Sequence, residues 1–214
     1  MKNTVIFDMD GVLVDSEAIY FKNLMDFCDK IALEPFSRDI GDYVGASTEA
    51  TWRQLVPNQE QRRKVYRAYV AYGKEHRIDY ATILKPGAKE LLQFLCGENM
   101  RVALASAGRP MDIEQMLDDC DLRNYFDVVI SGESVEHNKP DPDIYLEAMK
   151  QLGVTAPNVL VIEDSEKGIR AAKAAETEVW AIKQPLPQID QSGASRIVNN
   201  LQEVQENLRR MILI

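Results

Sequence analysis

Asp8 and Asp10 close a short apolar run, Thr4-Val-Ile-Phe7, and Gly11 follows before the chain turns apolar again at Val12-Leu-Val14. Side chains two apart on an extended chain point the same way, which aims both carboxylates at one place. Packing alone does not set like charges together, so the pair asks for a positive ligand. A second apolar run, Asn158-Val-Leu-Val-Ile162, leads into two more acids, Glu163 and Asp164. Ser106 ends a third run, Arg101-Val-Ala-Leu-Ala105, and Lys139 opens Lys139-Pro-Asp-Pro142. Four carboxylates need a cation, and hard oxygen ligands beside a phosphate favour Mg²⁺. His76 and His137 are the only histidines and stand far apart, so no zinc cluster competes. There is no Gly-rich Walker loop either, which argues against nucleotide hydrolysis of that kind.

These residues meet only if strands deliver them to one rim. From Pro86 onward, helical and strand-like pieces alternate. Residues 87–96 carry Leu91, Leu92 and Leu95 at helical spacing, with Gly97 as the expected C-cap. Strands are expected over 101–105, 127–130, 158–162 and 179–182, the last being the final central one. Helices are expected over 111–119, 141–152 and 165–175, the second opened by an Asp141 cap with Pro142 in the first helical position. Strands separated by helices predict a Rossmann-like α/β fold, a parallel sheet with helices on both faces. Ligands of such sheets bind beyond the carboxyl ends of the strands. Asp8, Asp10, Ser106, Lys139, Glu163 and Asp164 all fall on that rim.

Residues 16–83 break the rhythm. Tyr20, Leu24, Phe27, Cys28 and Ile31 make one apolar stripe, Ser47 begins a second helical piece, and Asn58 with Gln61 caps a third. This stretch reads as a small helical domain inserted into a core formed by 1–15 and 84–214. The basic side of its third helix (Arg62, Arg63, Lys64, Arg67) reads as a solvated face.

Composition sets outer bounds. In 214 residues, 45% are apolar and 28% charged, enough for one good core with a modest insertion. With 25 basic against 34 acidic residues the net charge is −9, which disfavours nucleic acid; a phosphorylated metabolite needs only a locally positive site. No long apolar run marks a membrane span, and Met1-Lys-Asn3 leads directly into the first strand, so no leader is expected. Cys28, Cys96 and Cys120, odd in number and widely spaced, fit a reducing cytoplasm and are expected to be buried structural thiols.

Four stretches then match a family. Asp8-Met-Asp10-Gly11-Val-Leu-Val-Asp15-Ser16-Glu17, Leu104-Ala-Ser106-Ala107, Lys139-Pro-Asp-Pro142 and Ile162-Glu163-Asp164-Ser165 resemble the four motifs of the haloacid dehalogenase-like superfamily, in order and over nearly the whole chain. Within it the chain is similar to the β-phosphoglucomutase-like phosphatases and phosphomutases, whose helical cap follows the first motif. The resemblance implies that Asp8 is the nucleophile that takes the phosphoryl group and Asp10 the acid and base. Mg²⁺ would be held by Asp8, the Asp10 carbonyl and Asp164. Gly11, Ser106, Ala107 and Lys139 would hold the phosphoryl oxygens. Glu163 either ligates the metal or orients Lys139. Asp15 and Ser16 are expected to fix the hinge into the cap. Taken singly, Ser106 is an ordinary strand-end cap, Lys139 a surface lysine, and Glu163-Asp164 a helix-start pair; the case rests on the set.

Three functions are compatible with that set. A phosphatase would pass the phosphoryl group to water, a β-phosphoglucomutase would return it to a sugar, and a binding module would keep only the fold. Intact Asp8, Asp10, Lys139 and Asp164 disfavour the binding module. Mutases of the family carry a histidine five positions after the aspartate that ends the first motif, where this chain has Tyr20. They also carry a Lys-Gly and a nearby Arg in the first cap loop. Here that stretch is Val44-Gly-Ala-Ser-Thr48, with Lys74 or Arg77 as loose substitutes. The expectation is a Mg²⁺-dependent phosphatase of a small phosphorylated metabolite, a sugar phosphate, acting as a cytoplasmic monomer.

Overall fold

The structure, a computed structural model, describes residues 2–43, 48–184 and 189–212. Six strands form one sheet: β1 (Thr4–Phe7), β2 (Arg101–Ser106), β3 (Val128–Ser131), β4 (Val159–Glu163), β5 (Glu178–Ile182) and β6 (Arg196–Val198). All neighbours pair in parallel, in the order β3-β2-β1-β4-β5-β6. The expected α/β class and parallel sheet are observed. Among the described residues the helices are α1 (Glu17–Lys30), α2 (Thr48–Leu55), α3 (Gln59–Glu75), α4 (Ala88–Gly97), α5 (Pro110–Asp119), α6 (Asp143–Leu152), α7 (Glu166–Ala174) and α8 (Leu201–Ile212). Among the described residues no helix is long and apolar enough to cross a membrane.

The chain makes two compact units, Met1–Asp15 with Tyr80–Ile214 and Ser16–Asp79. In the larger, the period-two alternation of the strands decides which helix covers which face. Ile6, Ala103, Ala105, Val159, Val161, Val179 and Ala181 pack with Ile144, Tyr145, Ala148 and Met149 of α6 and Ile169, Ala171 and Ala172 of α7. The alternate residues Val5, Phe7, Val102, Leu104, Leu160 and Ile162 are fully buried as well. That is why these strands read as continuous apolar runs: a parallel sheet is covered on both sides. The chain re-enters this unit by backbone pairing, with the Asp15 N–H donating to Ile83 O at 2.9 Å and Lys85 N–H to Leu13 O at 2.8 Å. Ser16 is fully buried.

The smaller unit contains no strand among its described residues. Leu24, Met25, Phe27 and Cys28 of α1, Trp52 and Leu55 of α2, and Tyr72 of α3 form its core. Phe27 meets Trp52 and Tyr69 edge-on and those two rings are tilted against each other, with centroids 5.1–6.4 Å apart. Offset and edge-on ring geometry is what the aromatic quadrupole favours. Asn58 caps α3 by accepting from the Gln61 N–H at 3.0 Å. Arg62 turns back to Val56 O and Pro57 O, and Lys64 pairs with Glu60 at 3.0 Å, so two residues of the basic face are engaged locally. Ser47, the expected start of the second helix, lies outside the described residues.

Several local expectations need correction. Gly97 is the last residue of α4 and Glu98 its cap, while Asn99 takes the left-handed turn at φ 55°. Asparagine tolerates that region and spares a glycine. α6 starts at Asp143 with Pro142, not Asp141, as its cap residue, and it has no side-chain cap because proline carries no acceptor; the Asp143 carboxylate accepts from the His137 N–H. Ile31 lies past the end of α1 and is 40% exposed, so the apolar stripe stops at Cys28. Cys28 and Cys120 are buried, but Cys96 is exposed on the last turn of α4. β6 was not foreseen: three edge residues, two of them exposed, carry no periodic signal.

Candidate active site

The sheet order changes direction at β1. The chain runs outward through β2 and β3, then returns to place β4 on the other side of β1. Crevices at such switch points lie beyond the carboxyl ends of the strands. Phe7 is in register with Leu104 of β2 and with Ile162 of β4. One residue further, Asp8, Ala105 and Glu163 therefore stand level across three adjacent strands.

Lys139 closes that level. Its Nζ donates to Asp8 Oδ1 at 2.6 Å, to Ala105 O at 3.0 Å and to Glu163 Oε1 at 2.7 Å. An ammonium has three donors, so each strand end takes one. The side chain is only 5% exposed. Burial works to discharge the amine, but Asp8 and Glu163 outweigh it and hold Lys139 protonated well above the ordinary lysine range.

Glu163 is fully buried, and both of its oxygens are engaged. Oε1 accepts from Lys139 and from the Tyr145 hydroxyl, and Oε2 from Asp164 N, Ser165 N and Ser165 Oγ, all within 3.1 Å. Five donors meet about four lone-pair sites. Burial alone would raise this carboxyl, yet Lys139 and the hydrogen bonds bring it below its ordinary value. Tyr145 sits against both partners, with Lys139 Nζ 5.1 Å from its ring centroid. Burial and Glu163 push its phenol well above the usual range, so it remains a donor.

The first motif runs from the sheet into a turn. β1 ends at Phe7, but the Asp8 N–H still donates to Ile162 O of β4 at 3.0 Å. Beyond it Met9 O accepts from the amides of Val12, Leu13 and Val14, while Gly11 N–H donates to Val14 O at 2.8 Å. Gly11 has φ +74°, and a Cβ there would sit 2.5 Å from Asp164 Cγ. Only glycine meets both demands. Asp8 is itself buried, and burial lifts its carboxyl to about 8, with Glu163 and Asp10 adding to the rise and Lys139 opposing it. Asp10 is thus close enough for its charge to be felt. Asp8, Glu163 and Asp164 each offer an oxygen within 4.8 Å of the others. The Asp10 carboxylate is not in that cluster.

Ser106, at the end of β2, is fully buried and accepts from Gly108 N–H at 3.0 Å. Ala107 is exposed, and its carbonyl accepts from Asn138. The strand ends thus bring Asp8, Glu163, Asp164 and Lys139 into one network, with Ser106 at the end of β2 and Asp10 and Gly11 on the turn after β1 beside it. Sequence reasoning missed Tyr145, which reads as an ordinary core position of α6, and Gly168. Ser165 caps α7 through Gly168 N–H at 3.0 Å, and a Cβ on Gly168 would overlap the Glu163 carboxylate. Gly168→Ala is therefore expected to eject Glu163 from its five donors and leave Lys139 half-paired. Disrupting a buried charge pair costs about 3–5 kcal/mol; thermal unfolding checks this, and a variant as stable as the parent would contradict the geometry.

The sequence profile of the haloacid dehalogenase-like hydrolases matches residues 5–182. A Thermotoga maritima protein named phosphorylated carbohydrates phosphatase is 33% identical over 180 residues, 81% of this chain and 82% of its own. Beta-phosphoglucomutase from Bacillus subtilis is 28% identical over 210 residues, 94% of this chain and 90% of its own. A crystal structure of beta-phosphoglucomutase from Clostridium difficile superposes with a TM-score of 0.79 at 21% identity, covering 100% of each chain, a likeness of fold.

Proposed function

The chain belongs to the haloacid dehalogenase-like hydrolase family, and from that premise we propose that it is a Mg²⁺-dependent phosphatase of a sugar phosphate, working through an aspartyl-phosphate on Asp8. The observation that carries this reading is the 2.6 Å contact of a buried ammonium, Lys139, with a buried carboxylate at the sheet's carboxyl rim. An ammonium there is placed for a group that gains negative charge beside Asp8.

The residues fit a divalent cation. Three buried carboxylates approach within 4.8 Å, and an Asp8 lifted to about 8 is a poor nucleophile near neutral pH without added positive charge. Asp8, Asp164 and the Asp10 carbonyl would hold the ion. The Glu163 oxygens are already saturated, which favours its role as the holder of Lys139. Bound Mg²⁺ would offset the repulsion between an anionic nucleophile and an anionic substrate.

In the first half-reaction a carboxylate oxygen of Asp8 forms a bond to phosphorus as the bond to the leaving oxygen breaks, and Asp10 gives that oxygen its proton. In the second, Asp10 takes a proton from water, the water oxygen bonds to phosphorus, and the Asp8–phosphorus bond breaks. Ser106 already accepts from Gly108, which leaves its O–H to donate to a phosphoryl oxygen. Ala107 would add a backbone N–H group, whereas the Gly11 N–H is committed to Val14 O, and Lys139 supplies fixed charge as the transition state forms.

A phosphomutase remains the second reading, favoured by the 28% identity to beta-phosphoglucomutase over most of the chain. Against it, tyrosine does not exchange protons near neutral pH as imidazole can, and Tyr20 stands in the mutase histidine's place. The stretch that carries the mutase cations corresponds to residues 44–48, of which 44–47 lie outside those described. With β-glucose 1-phosphate as substrate, inorganic phosphate is expected to outpace glucose 6-phosphate, and excess EDTA to stop both until Mg²⁺ is restored. Steady interconversion of the two sugar phosphates with little phosphate released would make the protein a mutase.

A further inference from the structure

Two glutamines from the segment after β5 reach the acidic cluster. Gln184 Nε2 donates to Asp164 Oδ2 at 2.9 Å and lies 3.4 Å from Gly11 O. One side-chain amide thus spans the turn after β1 and the carboxylate after β4. Gln191, only 8% exposed, fixes the segment that carries it. Its Nε2 donates to Asp164 O at 2.6 Å and to Ile182 O at 2.7 Å, and its Oε1 accepts from Gln184 N–H at 3.3 Å.

We propose that Gln184, seated by Gln191, is a positioning residue that fixes the plane of the Asp164 carboxylate for a divalent cation. The proposal rests on the metal site read above. The terminal torsion of aspartate is broad and roughly two-fold, so a short carboxylate does not hold one oxygen toward a partner unaided. A hydrogen bond from behind removes that freedom. The donor's chemistry matters too. A lysine or arginine in this place would neutralise Asp164 and compete with the cation, whereas an amide orients the carboxylate and leaves its charge intact. Gly11 makes the approach possible, since any Cβ there would occupy the carboxylate's position.

Hydrogen-bond partners of metal ligands typically change metal affinity by about 10–100-fold when removed. The test uses the whole chain with Mg²⁺ alone as the probe, following the rise in melting temperature as Mg²⁺ is titrated into metal-free protein. Gln184→Ala and Gln184→Met are both expected to need about tenfold more Mg²⁺ for the half-maximal rise. Their metal-free melting temperatures should match the parent, and kcat at saturating Mg²⁺ should stay within about twofold. Methionine fills the same space without a donor, so a packing role is rescued by it and a positioning role is not. Parental Mg²⁺ dependence in Gln184→Met, or a lowered metal-free melting temperature in both variants, overturns the proposal. Asp164→Asn separates the underlying reading: it is expected to abolish the Mg²⁺-dependent rise. A parental rise in Asp164→Asn would remove the metal site itself, and the Gln184 proposal with it.

Discussion

Asp8→Asn is expected to abolish turnover, on the order of a 10⁴–10⁶-fold loss in kcat, as for removal of an enzymatic nucleophile, while leaving the fold intact. The amide is nearly isosteric and can still accept from Lys139, so geometry survives. It cannot form the aspartyl-phosphate. The same substitution is expected to raise the melting temperature in metal-free buffer. Burial lifts the Asp8 carboxyl from 3.8 to about 8. For an acid with a raised folded value, the unfolded chain ionises first as pH rises. Its contribution to stability is therefore greatest below pH 3.8, and it is lost progressively toward pH 8. Near pH 7 the parent carries that penalty and the asparagine variant does not, so the gain should shrink as pH falls toward 4. Catalysis and stability would move in opposite directions, as expected where a strained group is retained for chemistry. Trapping a labelled phosphoryl group on a residue other than Asp8, or finding residual turnover near the parental rate, would overturn the assignment.

The sequence exposed the site as far as it did because each reactive residue marks a local event. Asp8, Ser106 and Glu163-Asp164 sit where an apolar run stops, and a parallel sheet turns such stops into one rim. The sheet itself was legible for the same reason, since strands buried on both faces read as unbroken runs. What stayed hidden is non-local. Whether Glu163 ligates metal or serves Lys139 depends on donors 18 and 24 residues away, Tyr145 and Lys139, and no spacing reports that. Gln184 and Gln191 lie in irregular chain with no period to read. Asp8 is held by pairing with β4 through Ile162 O, whereas the turn on Met9 O that follows it leaves no periodic trace in the sequence. Gly97 looked like a cap because glycine usually fills the left-handed position, and Asn99 took it instead.

Lys139→Met is expected to cost about 2–4 kcal/mol in the activation barrier, on the order of 10²–10³ in kcat, the range for removing a preorganised partner of developing charge. Two losses combine in that figure. In the proposed mechanism Lys139 is fixed charge beside the phosphoryl group, and it is also the main influence holding the Asp8 carboxyl down against burial. Without it, Asp8 and Glu163 face each other as buried carboxylates, and Asp8 is driven further toward its protonated, unreactive form. The rising limb of the pH–rate profile should therefore move to higher pH in Lys139→Met, so that part of the deficit is recovered in alkaline buffer. A lysine that merely braced Ala105 O and Glu163 would give a different pattern. Loss of bracing widens the pocket, lowers kcat and affinity for the dephosphorylated product together, and leaves the pH dependence where it was. Affinity for that neutral product should instead be nearly unchanged, since the ammonium acts on charge that the product lacks. A parallel loss of kcat and product affinity at an unshifted pH profile would reduce Lys139 to a structural residue, and with it the reading of the buried 2.6 Å contact as catalytic machinery.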